Sequence, residues 1–133
     1  MFDEKVEVNS NCVNAKIKAH ILSDEEMRKI GFTNYYEPNW YFCRSIKFPR
    51  ETRYRGFNIS FSVSIPKGSD IRIDVLDEDF CQPYDYQHML NKNPTFKPAL
   101  IVYEQVEEWM EYLQSKGVLS GHVKGEYIWQ DKN

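Results

Sequence analysis

Two neighbouring segments of alternating hydrophobicity constrain the fold of this chain more than any other feature. Residues 57–65 alternate large apolar side chains with Asn and Ser, and residues 71–75 alternate Ile and Val with Arg72 and Asp74. Residues 66–69, Pro-Lys-Gly-Ser, have the composition of a turn. A period of two places alternate side chains on opposite faces of a strand, so the pair predicts an antiparallel hairpin with one apolar face.

A third strand and a long helix complete the predicted core. Residues 40–48 again alternate, which predicts a strand before the hairpin, and residues 98–116 carry apolar side chains at helical spacing. Burying the apolar stripe of the helix against the sheet gives a two-layer arrangement. The predicted fold class is α+β, with a single domain over residues 1–133. In it the long amphipathic helix covers an antiparallel β-meander of about 40–48, 57–65 and 70–77.

Smaller elements are predicted on either side of this core. Ser23 and Glu26 form a capping box, which predicts a short helix near 24–30. Residues 13–21 alternate and predict a further strand, and a weaker alternation predicts a final edge strand at 122–129. Within the core itself, Trp109 and Phe61 are expected to be packing anchors rather than functional aromatics.

Composition limits the class of protein. The chain has 133 residues, 41% of them hydrophobic, and a net charge of −3, which favours one soluble domain and disfavours a globally basic nucleic-acid binder. No apolar run approaches the roughly 20 residues of a membrane span, and the acidic N-terminus is unlike a signal peptide. The three cysteines, Cys12, Cys43 and Cys81, are widely spaced, so reduced thiols in a cytoplasmic protein are expected.

A basic connection between two predicted strands is the first candidate binding site. It contains Lys47, Arg50, Arg53 and Arg55, with Tyr54 among them. Such a tip can bind an anionic partner, either nucleic acid or an acidic protein surface. The alternative is a solvated loop that binds nothing, which needs no partner to explain it.

Tyrosine-rich stretches are the second candidate. The tyrosines concerned are Tyr35, Tyr36, Tyr84 and Tyr86, in the stretches 35–41 and 84–86. Tyrosine is enriched among the anchors of protein interfaces, but also in the cores of small β-rich domains, and the sequence alone does not separate the two.

Acidic residues and histidines offer weaker candidates for chemistry. Asp and Glu residues between positions 74 and 79 can bind a divalent cation, but a solvated strand end or a partner contact is favoured because the spacing is not that of an EF-hand. His20, His88 and His122 lack the close spacing of a zinc site. We expect no metal and no cofactor.

Charged residues on the predicted helix and strand raise two further questions. Arg44 falls on the apolar side of its strand, so it should lie near the strand end or pair with a carboxylate. The polar side of the long helix is expected to be a solvated face, which is favoured over a surface that mimics DNA. Its glutamates are Glu104, Glu107, Glu108 and Glu111.

Two stretches carry a resemblance to a known group of proteins. Residues 31–41, and residues 71–80 continuing to 82–86, resemble small uncharacterised proteins encoded by phages and prophages of Gram-positive bacteria. The resemblance extends over about residues 22–128. It implies a role in host takeover or counter-defence in the cytoplasm of a bacterial host, and it carries no functional residue.

No P-loop, dinucleotide-binding fingerprint or nucleophile elbow is present. The sequence therefore favours a small, non-catalytic phage or prophage accessory protein that binds a protein partner. One alternative is an inhibitor of a host defence nuclease, similar in role to an anti-CRISPR protein. Another is a small hydrolase or nuclease whose catalytic residues are scattered along the chain. The sequence does not determine the oligomeric state.

Overall fold

The structure is a computed structural model, and it describes residues 16–35, 39–49, 58–66, 71–126 and 128. The elements in chain order are β1 (Lys18–Ala19), α1 (Asp24–Ile30), β2 (Trp40–Ser45), β3 (Ile59–Ile65), β4 (Arg72–Asp77), β5 (Gln82–Pro83), α2 (Tyr86–Lys92), α3 (Lys97–Ser115) and β6 (Leu119–Ser120). The fold class is α+β, as predicted.

The larger sheet is the predicted meander with one short strand added. Its order is β2-β3-β4-β5, and every neighbouring pair is antiparallel. Phe42 lies opposite Val63, and Val63 lies opposite Ile73, so these three side chains share one face. All three are buried, which confirms the apolar face that the alternation predicted.

Helix α3 packs on that face. Its buried positions include Val102, Val106, Met110 and Leu113, which belong to the same hydrophobic cluster as the sheet residue Phe61. Burial of apolar surface at roughly 25 cal/mol per Å² makes this layer contact the main source of stability. The helix begins one residue before the predicted start and ends one residue before the predicted end.

Helix α1 has the predicted boundaries and the predicted N-terminal cap. The Ser23 hydroxyl accepts a hydrogen bond from the Glu26 backbone N–H at 3.2 Å. Gly31 ends the helix at φ +125°, and a Cβ at this position would collide with the Arg44 guanidinium. Met27 and Ile30 are buried, so α1 adds its apolar side to the core.

The remaining strands form a small second sheet, and here the sequence interpretation was partly wrong. Within the described residues, the predicted strand 13–21 is reduced to β1, which pairs with β6. Residues 122–126 of the predicted strand 122–129 are not in a strand. The strand lies earlier because Gly121, at φ +96°, turns the chain where its Cα comes close to the Lys16 carbonyl.

None of the helices in the described part of the chain combines the length and the apolar character needed to cross a membrane.

Candidate functional site

Helix α3 has two contrasting sides next to its buried stripe. Successive residues turn by about 100° around a helix axis, so residues three or four apart lie close together on one side. We call one side the aromatic flank, which comprises Gln105, Trp109, Tyr112 and Lys116. We call the other side the polar flank, which comprises Tyr103, Glu107 and Gln114.

The aromatic flank is organised around Phe42 of β2. The Trp109 ring lies 5.5 Å from the Phe42 ring at 69°, and the Tyr112 ring lies 6.4 Å from it at 29°. The Tyr112 hydroxyl donates a hydrogen bond of 2.8 Å to the Ile30 carbonyl at the end of α1. Phe61 is fully buried, as expected of a core anchor, whereas Trp109 is only half-buried and lies at the margin of the core.

Arg44 lies against these rings. Its guanidinium carbon is 4.2 Å from the centre of the Phe42 ring and 5.3 Å from that of Trp109. One nitrogen, Nη1, donates a 2.8 Å hydrogen bond to the Cys43 carbonyl. Arg44 is the penultimate residue of β2, as one alternative predicted, but no carboxylate of the described residues lies within ion-pair distance of it. Cation–π contact therefore takes the place of the expected carboxylate.

Three more cationic residues lie on the elements around the aromatic flank. The exposed Lys47 is held beside α3 because the Gln105 amide bonds both its backbone N–H at 2.8 Å and its carbonyl at 2.7 Å. The Lys116 ammonium lies 5.7 Å from the Tyr112 ring. Arg28 of α1 lies 5.6 Å from the ring of Trp40, the first residue of β2.

We call Arg28, Arg44, Lys47 and Lys116 the cation row. The helix positions beside Lys47, Arg44 and Lys116 run from Gln105 to Lys116, which is about 16 Å along the helix axis at about 1.5 Å per residue. Within the described residues, none of the four has a carboxylate within ion-pair distance. The structure thus collects one predicted site residue, Lys47, with three cations that the sequence did not single out as a group.

A row of exposed glutamates lies beside the cation row. Glu104, Glu108 and Glu111 are exposed, as expected of a solvated helix face. The exposed surface of α3 therefore carries two adjacent rows of opposite charge, one on the aromatic flank and one on the side facing solvent.

Glu107 was expected to be solvated with these glutamates, and that prediction was wrong. Its side chain is 7% exposed and lies 2.9 Å from Nε2 of His122, whose side chain is 3% exposed. Gly125 N–H also donates to the Glu107 carboxylate at 3.4 Å. Gln114 bonds the His122 backbone N–H at 2.9 Å and its carbonyl at 3.3 Å, so the polar flank fixes the segment after β6 on the helix.

Two of the predicted binding tyrosines are core residues. Tyr84 and Tyr86 are 6% and 1% exposed, so neither is presented to a partner. Burial, together with the nearby Asp77 carboxylate, raises the pKa of Tyr84 to about 12. Burial and then the charge of Glu107 also raise the pKa of Tyr86. The sequence did not reveal this, because a tyrosine-rich stretch is compatible with a core and with an interface.

The other predicted binding residues have different outcomes. Tyr35 is 85% exposed, in the segment between α1 and β2. It does not belong to the cation row. Four of the predicted residues lie outside the described part of the chain, namely Tyr36, Arg50, Arg53 and Arg55.

The sheet face opposite α3 is polar and holds the thiol of Cys43. Burial, aided by the charge of Glu78, raises the pKa of Cys43, while Arg44 and a hydrogen bond with Ser60 oppose the shift. The Ser60 hydroxyl donates a 2.6 Å hydrogen bond to the Glu78 carboxylate. A raised pKa keeps the thiol protonated at neutral pH, which disfavours its use as a nucleophile.

The cysteines, acidic residues and histidines form no metal site in the described residues. Cys43 and Cys81 are free thiols, and Cys12 lies outside the described residues. No group of three or more His, Cys, Asp or Glu side chains in that part of the chain is arranged to hold a metal ion. The acidic run is divided, because Glu78 bonds Ser60 while Asp77 accepts from the Asp79 N–H at 3.1 Å.

One serine–histidine contact bears on the hydrolase alternative. Nε2 of His20 lies 2.8 Å from the Ser120 hydroxyl across β1 and β6. Within the described residues no carboxylate bonds the ring of His20, whereas a catalytic triad needs a third group to orient the base. This contact is better explained as a surface hydrogen bond of the small sheet.

Comparison with protein-family models, with curated proteins and with solved structures finds no significant match to this chain.

Proposed function

We propose that this chain is a non-catalytic binding protein, that its partner is another protein, and that the cation row with the aromatic flank is the contact surface. The observation that carries the proposal is Arg44, a half-buried guanidinium held against aromatic rings with no carboxylate of the described residues beside it. Arginine, tryptophan and tyrosine are the residues most enriched at the energetic centres of protein interfaces.

The composition of the surface supports a binding role over a purely structural one. A buried or half-buried charged group normally has polar partners inside the fold, as Glu107 has in His122 and the Gly125 N–H. Arg44 has five N–H donors, and within the described residues one acceptor is bonded to it. An incoming acidic group would supply the missing acceptors.

The adjacent row of glutamates favours protein over nucleic acid as the partner. Nucleic acid carries a negative charge on every phosphate, so a strand lying on the cation row would also meet Glu104, Glu108 and Glu111. A protein surface can place acidic groups opposite the cations and neutral or basic groups opposite the glutamates, which gives complementary charge along both rows.

The resemblance to phage and prophage proteins gives this proposal a narrower form. A phage accessory protein that binds a host protein has no need of a catalytic site, and inhibition of a defence nuclease is one such role. The raised pKa of Cys43 and the isolated His20–Ser120 contact are consistent with a binding rather than a catalytic role.

Site-specific photo-crosslinking tests the proposal. Benzoylphenylalanine at position 108, beside the cation row, should give a protein adduct in Gram-positive cells, whereas the same group at Lys92 on the exposed side of α2 should not. Lys47→Ser combined with Lys116→Ser should remove the adduct.

The matched control for that double variant is Lys92→Ser combined with Lys97→Ser, which removes two exposed cations elsewhere. An adduct that survives both double variants, or that forms equally from position 92, contradicts the proposed surface. An adduct with nucleic acid instead of protein would support the alternative partner class.

A further inference from the structure

The geometry of Arg44 specifies the chemical group that the surface can receive. Contact with the Phe42 and Trp109 rings restricts the guanidinium plane, and the bond from Nη1 to the Cys43 carbonyl restricts it further. Nη2 lies close to Gly31, where a Cβ would collide with it, so the glycine leaves room for this orientation of the guanidinium. A planar donor group fixed in this way loses little side-chain entropy when it binds, so it is preorganised for a planar acceptor.

A carboxylate fits this donor group well. The guanidinium fork and a carboxylate match in two parallel N–H···O bonds, which are shorter and stronger than neutral hydrogen bonds. Phosphate shares this chemistry, so the choice between them depends on what surrounds Arg44. Glu104, Glu108 and Glu111 occupy the neighbouring side of α3, and a polyphosphate chain would add charge beside them at every unit.

We propose that the cation row receives an acidic polypeptide segment of the partner, with one carboxylate bound by Arg44 and others facing Lys47 and Lys116. This inference rests on the proposed function and specifies the chemistry of its partner. The row spans about 16 Å, which an extended segment covers with about five residues.

The cationic residues follow one another singly along α3, which favours an extended peptide segment as the ligand. The Lys47 backbone is bonded to Gln105, and the Arg44 guanidinium lies against Trp109. These two helix residues are about 6 Å apart along the axis, and Lys116 follows about 10 Å beyond Trp109. Side chains two residues apart on an extended strand are separated by about 6.6 Å and point to the same side. Acidic residues in alternate positions therefore match the spacing of Gln105 and Trp109, the helix positions beside Lys47 and Arg44.

The experiment is an NMR titration of the whole protein with three defined probes. They are a short peptide alternating Glu and Ser, the matched peptide alternating Lys and Ser, and oligothymidylate of similar extended length. We expect the Glu/Ser peptide to shift the Trp109 indole and Lys116 amide signals, to bind less well as salt is raised, and to bind tightest of the three.

Arg44→Lys distinguishes the contribution of the planar guanidinium from that of the positive charge alone. The substitution keeps the positive charge but removes the planar donor pair, and we expect it to weaken the Glu/Ser peptide about tenfold, as expected for the loss of a bidentate charge-assisted contact. The amide spectrum of the variant shows whether its fold is retained, and Lys92→Ser supplies a matched loss of an exposed cation that should leave binding unchanged.

Three results would overturn the inference: tighter binding of oligothymidylate, equal binding of the Lys/Ser peptide, or an Arg44→Lys variant that binds the Glu/Ser peptide as the wild type does. These failures are distinct from failure of the proposed function. A protein adduct at position 108 without peptide binding would leave the function standing and reject the acidic segment. Peptide binding without any cellular adduct would support binding of an acidic segment and reject the proposed function.

Discussion

The aromatic flank and the polar flank of α3 treat charge in opposite ways. On the polar flank, Glu107 is buried and has hydrogen-bond partners inside the molecule in His122 and the Gly125 N–H. On the aromatic flank, Arg44 and Lys116 rest on rings, and no described carboxylate compensates them. A buried carboxylate bonded within the fold serves to hold the chain together, whereas cations on rings with no described carboxylate beside them have donors left for a second molecule. The comparison therefore separates a structural side of the helix from the side that we propose to be the recognition side.

The largest expected effect is on the aromatic flank. Trp109→Ala removes the ring that contacts Phe42, Tyr112 and Arg44, and we expect it to lower the free energy of unfolding by about 3–5 kcal/mol. Urea denaturation measures the change. The matched control is the exposed neighbour Glu108→Ala, which should stay within about 0.5 kcal/mol of the wild type. Equal effects of the two substitutions would show that this flank does not contribute to the core.

A smaller loss is expected on the polar flank. Glu107→Ala leaves the buried His122 ring and the Gly125 N–H without this acceptor, which should lower the unfolding free energy by about 1–3 kcal/mol. A double-mutant cycle with His122→Ala measures the pair directly, because contacting residues give non-additive changes. Strictly additive losses would mean that Glu107 and His122 do not stabilise one another, and the contrast between the flanks would disappear.

The buried tyrosines predict a loss of stability at alkaline pH. The pKa of Tyr84 is raised to about 12 in the folded state, above its ordinary value of 10.0. Its contribution is therefore complete below about pH 10 and is lost as pH rises toward 12, because the unfolded chain releases the proton first. One such group changes the unfolding free energy by at most about 1.4 kcal/mol per pH unit.

Tyr84→Phe isolates this effect. Its hydroxyl oxygen is buried and has no hydrogen-bond partner among the described residues, so removing it should leave stability at neutral pH nearly unchanged. Urea midpoints measured between about pH 9 and 11 should fall less steeply for the variant than for the wild type. Parallel curves would contradict the raised pKa.

The smallest expected effect concerns the two hydrogen bonds between Gln105, the first residue of the aromatic flank, and the Lys47 backbone. Gln105→Ala removes both hydrogen bonds to the Lys47 backbone and should cost about 1 kcal/mol of stability. Hydrogen exchange of the Lys47 amide should become faster in the same variant. Gln87→Ala, which removes an exposed contact with Asn91 on α2, provides the comparison and should leave the Lys47 amide unchanged.

The sequence predicted the layers because each depends on a local period. Alternation in β3 and β4 and helical spacing in α3 identify the side of each element that faces the core. Periodicity says little about positions at the edge of the apolar stripe. Glu107 lies about 100° from Val106 around the helix axis, and whether it meets water or a partner depends on His122, in a separate segment of the chain.

Arg44 shows the same limit of local periodicity, here for a charged residue on the apolar side of a strand. Its position on the apolar side of β2 is visible in the sequence and is unusual for a charged residue. The ring of Trp109 that contacts it belongs to an element distant in the chain, so no local pattern could distinguish a carboxylate partner from an aromatic one. The collection of the cation row from α1, β2 and α3 likewise follows from packing rather than from any motif.

The Gln105 amide has a consequence for how copies of this protein behave at high concentration. β2 is the outermost strand of its sheet, and the exposed backbone of such a strand is a template for strands of other molecules and for fibre growth. Near one end of β2, the Thr33 backbone is hydrogen-bonded to the backbone of Tyr41. Just beyond the other end, the Gln105 side chain is hydrogen-bonded to the Lys47 backbone. Between them, the Arg44 guanidinium donates a hydrogen bond to the Cys43 carbonyl. Residues of the proposed recognition side thus also cover backbone groups along the β2 edge, where they obstruct the addition of a strand from another molecule.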